Sequence, residues 1–153
     1  MTTAALSLLP QDYGFVALAA TSTFYLHVYQ VLQVSKYRKL AKVVYPQFMA
    51  EKAQMDANPD AVKFNCAQRA HGNTLEILPH MLFGILFNGL FFPKISAALG
   101  ACWVIGRILF TYGYVTGNPM ARYHYGGQLH ILGAIGTLVL ATYNSAKLIL
   151  PTL

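Results

Sequence analysis

The sequence is poor in charged residues and especially poor in acids. Only 10% of its 153 residues are charged, and five Asp and Glu residues oppose eleven Lys and Arg residues. An average soluble domain contains about 25% charged residues, whereas 56% of this chain is hydrophobic. This deficit of charge argues against a soluble domain and predicts an integral-membrane protein.

Cysteine is also scarce, and its two positions form no recognisable motif. Cys66 and Cys102 lie at or inside apolar segments without metal-ligand spacing, and His27 and His130 lie in separate segments. We therefore predict neither a disulfide framework nor a metal site. No Lys or Arg precedes the first apolar segment, which argues against a cleavable signal peptide. We expect that segment to remain in the mature protein.

Four apolar segments are long enough to cross a bilayer, which requires about 20 helical residues. They cover residues 13–34, 66–92, 97–114 and 128–150. The second contains Pro79, a site for a kink, and the fourth contains Gly133 and Gly136, where another helix can approach closely. The sequence therefore predicts an all-α fold, with residues 1–153 forming a single integral-membrane domain built as a four-helix bundle.

Positive charge is concentrated in the connection between the first two segments. Six of the cations lie between Lys36 and Lys63, and Arg122 lies in the connection between the last two segments, against Lys94 and Lys147 on the opposite side. The positive-inside rule therefore places both termini in the lumen and the long loops in the cytoplasm. A cluster beside a span is typical of a loop near anionic lipid rather than of a nucleic-acid site.

The second segment carries its polar side chains on one face. Because a helix advances about 100° per residue, one band of roughly 60° holds four of them: Arg69, Asn73, Glu76 and His80. A charge within the membrane is costly unless it is paired or hydrated. Two interpretations remain open: an ion pair between Glu76 and Arg69 or Arg107 that ties helices together, or a site for a zwitterionic ligand.

Two blocks of sequence resemble one membrane family. The stretch "FNCAQRAHGNTLEILP" contains an R-A-x-x-N-x-x-E core followed by Pro79, and "GRILFTYGYVTGNP" is similar to the family's third-helix signature. The chain thus resembles the MAPEG family, the membrane-associated proteins in eicosanoid and glutathione metabolism. Within that family it is most similar to the type 3 branch, the type 3 microsomal glutathione S-transferases.

The resemblance implies a homotrimer that holds glutathione between helices of neighbouring subunits. It implies a glutathione transferase or glutathione-dependent lipid peroxidase, with glutathione as co-substrate and a lipophilic electrophile or lipid hydroperoxide entering from the bilayer. The implied location is the endoplasmic reticulum, with the mitochondrial outer membrane as the second choice. The alternative is a non-enzymatic subunit that presents lipid or serves as a scaffold in a membrane complex.

The resemblance also implies which residues form the site. The glutathione contacts fall on Arg38, Arg69, His71, Asn73, Glu76 and Tyr114. Arg122 falls where an arginine stabilises the glutathione thiolate, and Lys39 falls where a second basic residue acts on the lipid substrate. Phe110 and Ile77 stand at positions where relatives have tyrosine. These two departures argue against leukotriene-C synthesis.

Overall fold

A computed structural model describes residues 8–150, and all of the regular elements in this range are helices. They are α1 (Tyr13–Ala41), α2 (Lys52–Ala57), α3 (Pro59–Gly89), α4 (Pro93–Tyr114), a 3₁₀ helix (Pro119–Tyr123) and α5 (Leu129–Ile149). The predicted all-α fold is therefore confirmed for this range. The two ends of the predicted domain, residues 1–7 and 151–153, lie outside the described residues.

Three of the helices, α1, α4 and α5, are long and apolar enough to cross a membrane. The 31-residue helix α3 does not belong to this group, although the sequence predicts a span over residues 66–92. Polar residues, among them Asn73, Glu76 and Asn88, reduce the mean hydropathy of α3, although its second half is rich in Leu and Phe. Length and composition thus identify three candidate spans with a fourth, more polar helix packed among them.

Helices α1 and α3 both continue beyond the predicted spans. Helix α1 extends to Ala41 and ends at Lys42, which adopts the left-handed conformation with φ of 55°. Helix α3 begins at Pro59, and the Asn58 side chain accepts a hydrogen bond from the Asp60 backbone N–H at 3.0 Å. Asparagine before the first turn and proline within it are both favourable at a helix start. The predicted connection between the first two apolar segments is therefore partly helical.

The helices pack into one assembly in which α1 contacts α3 and α4, while α5 lies chiefly against α4. The buried apolar core includes Leu26, Ile85 and Trp103. A Cβ atom added at Gly133 would lie 2.7 Å from the Trp103 backbone nitrogen, and one added at Gly136 would lie 2.5 Å from a Leu99 methyl carbon. Both glycines thus lie where α5 approaches α4 closely, as the sequence predicts.

A buried polar hub, formed by Gln30, Thr74 and Thr111, joins three helices. The Gln30 Nε2 atom of α1 donates to Thr74 Oγ1 of α3 at 2.8 Å and to Thr111 Oγ1 of α4 at 2.9 Å. All three side chains are buried. Because a buried amide that loses its partners is costly, the polar hub fixes α1, α3 and α4 relative to one another.

The two long connections lie at the same end of the helices, which we call the loop end. Gly117, which follows α4, lies against the Lys63 side chain near the start of α3. At the opposite end, Lys94 Nζ lies 3.1 Å from an Asp12 carboxylate oxygen. The most positively charged segments of the chain therefore share one end of the structure.

Candidate functional site

Arg69, Asn73 and Glu76 form a hydrogen-bonded group on one face of α3. Arg69 Nη1 lies 2.9 Å from Glu76 Oε1, and Asn73 Nδ2 donates to Glu76 Oε2 at 3.1 Å. The spacing of three and four residues places these side chains side by side on a helix. The Arg69–Glu76 pair lies within a single helix, so it does not tie two helices together.

This charged group faces outward from the chain. The Arg69 and Glu76 side chains are 56% and 53% exposed, respectively. At membrane depth a charged side chain must face protein, a water-filled cavity or a ligand, because contact with lipid tails is costly. The outward face of α3 therefore needs a cover that the described part of this chain does not supply.

Arg107 lies behind this face, fully buried. Its guanidinium donates to Thr74 Oγ1 at 2.7 and 3.0 Å, to Asn73 Oδ1 at 2.9 Å and to the Ala70 carbonyl at 3.0 Å. Because arginine can only donate, the Asn73 oxygen must point towards Arg107 and the Asn73 NH₂ group towards Glu76. Arg107 therefore orients Asn73 instead of pairing with Glu76.

A cavity of about 200 Å³, the Arg69 cavity, opens beside this group. It is lined by Arg69, Asn73, Phe110, Tyr114, Arg122, Tyr123 and His130. The structure thus brings together four of the predicted site residues, from α3, α4 and the 3₁₀ helix, and Glu76 adjoins them through its two hydrogen bonds. The cavity is polar on the α3 side and aromatic on the α4 side.

Arg122 is held at this cavity by the fold of the 3₁₀ helix. Its Nη1 atom donates to the Pro119 carbonyl at 2.6 Å, and its guanidinium lies 4.6 Å from the Tyr123 ring centre and 5.3 Å from that of Tyr114. Contact with the Tyr123 side chain raises the pKa of the Arg122 guanidinium above its ordinary value. A permanently charged guanidinium at this position is suited to stabilising an anion such as a thiolate.

Phe110 forms the aromatic wall of the same cavity. Its ring centre lies 5.4 Å from that of Tyr114, 5.9 Å from that of Tyr123 and 5.2 Å from that of His130, with edge-to-face geometry in each pair. A phenylalanine supplies packing but no hydrogen bond. The hydroxyl that a tyrosine would carry at this position is absent from the wall.

Arg38 and His71 lie on a different face of the chain. They line a second cavity of about 390 Å³, the Arg38 cavity, together with Tyr45, Gln68 and other residues. Two residues along a helix correspond to a rotation of about 200°, so His71 lies nearly opposite Arg69 on α3. The predicted glutathione contacts are thus divided between two faces of the same chain.

The Arg38 side chain is held firmly. Its Nη1 atom donates to the Gln47 carbonyl at 2.7 Å and to the Val43 carbonyl at 3.4 Å. The guanidinium also lies 4.3 Å from the Tyr45 ring centre and 4.5 Å from the Phe64 ring centre. The loop after α1 therefore fixes this cation before any ligand arrives.

His71 and Lys39 differ in their surroundings. His71 Nε2 lies 3.3 Å from His27 Nδ1 of α1, so the two imidazoles can share a hydrogen bond. Lys39 is exposed and lines a third cavity beside Lys42. The two predicted catalytic residues, Lys39 and Arg122, therefore lie in different cavities of one chain.

Comparison with known proteins identifies the family. Residues 16–143 match the MAPEG family. The chain belongs to the MAPEG family. An uncharacterized protein of the cyanobacterium Synechocystis sp. is 42% identical over 79 residues, and this match covers 50% of the present chain and 58% of that relative. Family membership and the three apolar helices support an integral-membrane protein.

The structure of this MAPEG protein adds Tyr123 and His130 to the candidate site. Both line the Arg69 cavity because the chain after α4 folds back on that helix. Gly113 of α4 lies against the Ala121 carbonyl, and Gly127 lies against the Cα atom of Phe110 on α4. These two glycines are the signal in the sequence that the loop returns to α4. In residues 8–150, no group of three or more His, Cys, Asp or Glu residues could hold a metal ion.

Proposed function

We propose that this MAPEG protein is an integral-membrane glutathione S-transferase of the type 3 kind that also reduces lipid hydroperoxides with glutathione. The observation that carries the proposal is the Arg69 cavity, where a carboxylate, an amide and two guanidinium groups adjoin one another. Glutathione offers the complementary groups: carboxylates for Arg69, an ammonium for Glu76 and an amide for Asn73.

In this proposal the protein supplies orientation and charge, and glutathione supplies the nucleophile. The Arg122 guanidinium stabilises the thiolate, because a nearby cation favours the charged form of a thiol. The thiolate sulfur then bonds to an electrophilic carbon of the lipophilic substrate; in a substitution that carbon releases its leaving group, and in an addition the neighbouring atom that receives the electron pair of the broken bond takes up a proton. With a lipid hydroperoxide, sulfur attacks the terminal peroxide oxygen, the O–O bond breaks, and the lipid alkoxide takes a proton from water and leaves as the alcohol. The glutathione sulfenic acid then condenses with a second glutathione to give the disulfide and water.

The same geometry supports assembly with other copies of the chain, which we propose is a homotrimer. The exposed Arg69–Glu76 pair needs a cover, and the Arg38 cavity lies on another face of the chain. Ligand pockets usually measure about 300–1,000 Å³, and the Arg69 cavity alone is about 200 Å³. The Arg38 and His71 face of a neighbour would enlarge the site and bury its charges.

Glutathione titration of the purified protein in detergent tests the site. Arg69→Ala and Glu76→Ala should each abolish saturable binding while the oligomer keeps its size in light scattering. Lys52→Ala is the matched control, because it removes a cation from a pair whose side chains are 84% and 64% exposed, and it should bind like the wild type. Unchanged affinity in both site variants would refute the proposed glutathione site.

Mixed oligomers test whether neighbouring chains share one site. Arg38→Ala and Arg69→Ala should each be inactive alone. Co-expression of the two variants should restore part of the activity, because some interfaces then combine an intact Arg69 face with an intact Arg38 face. Failure to restore activity in oligomers shown to contain both chains would contradict a site shared between neighbouring chains. It would not contradict the glutathione site itself, which the titration tests separately.

Phe110 favours a second candidate function, a non-enzymatic subunit that presents lipid or serves as a scaffold. Its ring packs on three neighbouring rings, and the cavity lacks the hydroxyl that a tyrosine at this position would supply. An ultraviolet thiolate band on addition of glutathione, lost in Arg122→Ala, would support the enzyme. Bound glutathione without thiolate or turnover would favour the second function.

We also propose that the loop end faces the cytoplasm, with the protein in the endoplasmic reticulum or, second, the mitochondrial outer membrane. The positions of the lysines and arginines support this orientation through the positive-inside rule. The Lys52→Cys variant should react with a membrane-impermeant maleimide added to the cytoplasmic side of sealed microsomes. Reaction only after the membrane is opened would show that the loop end faces the lumen and would contradict the proposed orientation.

A further inference from the structure

The acids of this chain are all engaged. In residues 8–150, four of the five acids pair with a cation: Asp12 with Lys94, Asp56 with Lys52, Asp60 with Lys63 and Glu76 with Arg69. The fifth, Glu51, accepts a backbone N–H at the start of α2. The described residues therefore supply no free carboxylate for the remaining cations.

Four of those remaining cations crowd the end of α1: Lys36, Arg38, Lys39 and Lys42. None of them belongs to an ion pair in the described range. Arg38 is occupied by two backbone carbonyls and two aromatic rings, whereas the three lysines are exposed. Cations gathered without acids create a local positive potential that attracts an anion.

Two of these lysines share a formed cavity. A space of about 370 Å³ lies between the end of α1 and the chain that returns from it, and it is lined by Ser35, Arg38, Lys39, Lys42, Val43, Val44 and Tyr45. The left-handed conformation of Lys42 turns the chain back towards the helix. The lining contains three cations and the hydroxyls of Ser35 and Tyr45 but no acid, while Lys36 lies outside it.

The rim of the cavity indicates what kind of anion fits. Val44 and Tyr45 are 76% and 75% exposed, so an apolar and an aromatic side chain flank the cations on the outside. Helix α1 is long and apolar enough to cross a membrane, which places its end at the level of the lipid headgroups. Aromatic and basic residues together are typical of that level.

We propose that this cavity binds the phosphate of an anionic phospholipid. Lys39 and Lys42 pair with the phosphate and Ser35 donates a hydrogen bond, while Val44 and Tyr45 contact the glycerol and upper acyl region. This site requires neither glutathione nor the Arg69 cavity. It gives Lys39 a partner that accounts for its position away from Arg122.

Native mass spectrometry of the purified full chain tests this site. The protein is mixed in detergent with phosphatidylglycerol or with phosphatidylcholine, and the retained lipid is counted. The wild type should retain phosphatidylglycerol preferentially. A direct ion pair between one lysine and the bound phosphate that contributes about 1 kcal/mol corresponds to about fivefold in affinity, so the Lys39→Gln/Lys42→Gln variant should lose roughly 25-fold.

The matched control is the Lys36→Gln/Lys52→Gln variant, which removes the same charge without altering the cavity lining. It should retain the lipid within about twofold of the wild type, and an unchanged thermal transition should show that both variants are folded. Equal losses in the two double variants would overturn the proposal in favour of diffuse attraction. Equal retention of both lipids, or displacement of phosphatidylglycerol by millimolar glycerol 3-phosphate, would also overturn it.

Discussion

Replacing Arg107 with lysine should destabilise the protein more than replacing it with methionine. Both variants lose the guanidinium, which donates four hydrogen bonds to Thr74, Asn73 and Ala70. Lysine keeps a charge at a position with 0% exposure, and its single ammonium group cannot reach three separated acceptors in the guanidinium geometry. Methionine removes the buried charge together with the hydrogen bonds.

The number of lost hydrogen bonds sets the expected loss in the free energy of unfolding. Thr74 Oγ1 still accepts from Gln30, and the Ala70 carbonyl still accepts from Thr74, so Asn73 Oδ1 is the acceptor left without a donor. If lysine keeps two of the four hydrogen bonds, the other two cost about 1.5–3 kcal/mol each. We therefore expect Arg107→Lys to lower the free energy of unfolding by about 3–6 kcal/mol. Arg107→Met buries no charge and leaves one acceptor, Asn73 Oδ1, without a donor, so it should cost less, about 1–3 kcal/mol. Both variants should bind glutathione weakly because Asn73 is no longer oriented.

Unfolding by dodecyl sulfate in mixed micelles, followed by tryptophan fluorescence, measures this effect. Trp103 is the sole tryptophan, is fully buried and lies four residues before Arg107 on α4. Arg122→Lys is the matched control for the same exchange at a less buried arginine, and it should change stability by no more than about 0.5 kcal/mol. An Arg107→Lys variant as stable as the wild type, or more stable than Arg107→Met, would refute the reasoning.

Three further outcomes follow from contacts elsewhere in the chain. Gly133→Ala should destabilise the protein by about 1–3 kcal/mol in the same unfolding assay, because the new Cβ atom would lie 2.7 Å from a backbone nitrogen of α4. Gly72→Ala is the control and should not destabilise the protein, because the space around its new Cβ atom is open. Equal effects of the two substitutions would contradict the close approach of α5 to α4. Asn144→Ala removes a 2.9 Å hydrogen bond to Asn88 in the buried contact between α5 and α3, and a loss below about 0.5 kcal/mol would show that this bond is not needed. The raised pKa of Arg122 keeps its guanidinium cationic wherever the glutathione thiol titrates. In the wild type the thiolate band should therefore appear at a lower pH than for free glutathione, and in Arg122→Ala it should appear at the pH of free glutathione. Equal titration midpoints in the two proteins would exclude stabilisation of the thiolate by Arg122.

The parts of the site that sequence predicts are those set by one helix. Arg69, Asn73 and Glu76 are neighbours because of helical spacing alone, and the structure joins them by hydrogen bonds. Gly133 and Gly136 are likewise local signals of a close helix contact. Such features depend on the period of the helix, which a sequence displays directly.

The parts that sequence does not predict depend on how the connections fold. Tyr123 reaches the Arg69 cavity through the turn after α4, and no periodicity crosses that turn. Hydropathy also places the end of α1 too early, because a polar helix outside the membrane has the same low hydropathy as a loop. Asn58 and Pro59 suggest a turn, although the same pair equally begins a helix.

The polar hub has a consequence for how deeply each helix sits. Lipid tails are as apolar as leucine, so apolar side chains alone do not fix the position of one membrane helix along its neighbour. A slip of one residue moves a helix by about 1.5 Å, which is enough to break the hydrogen bonds of Gln30 with Thr74 at 2.8 Å and Thr111 at 2.9 Å. The Gln30 amide, together with the hydrogen bonds of Arg107 to α3, therefore sets the vertical register of three helices, and with it the depth of Arg69 in the bilayer.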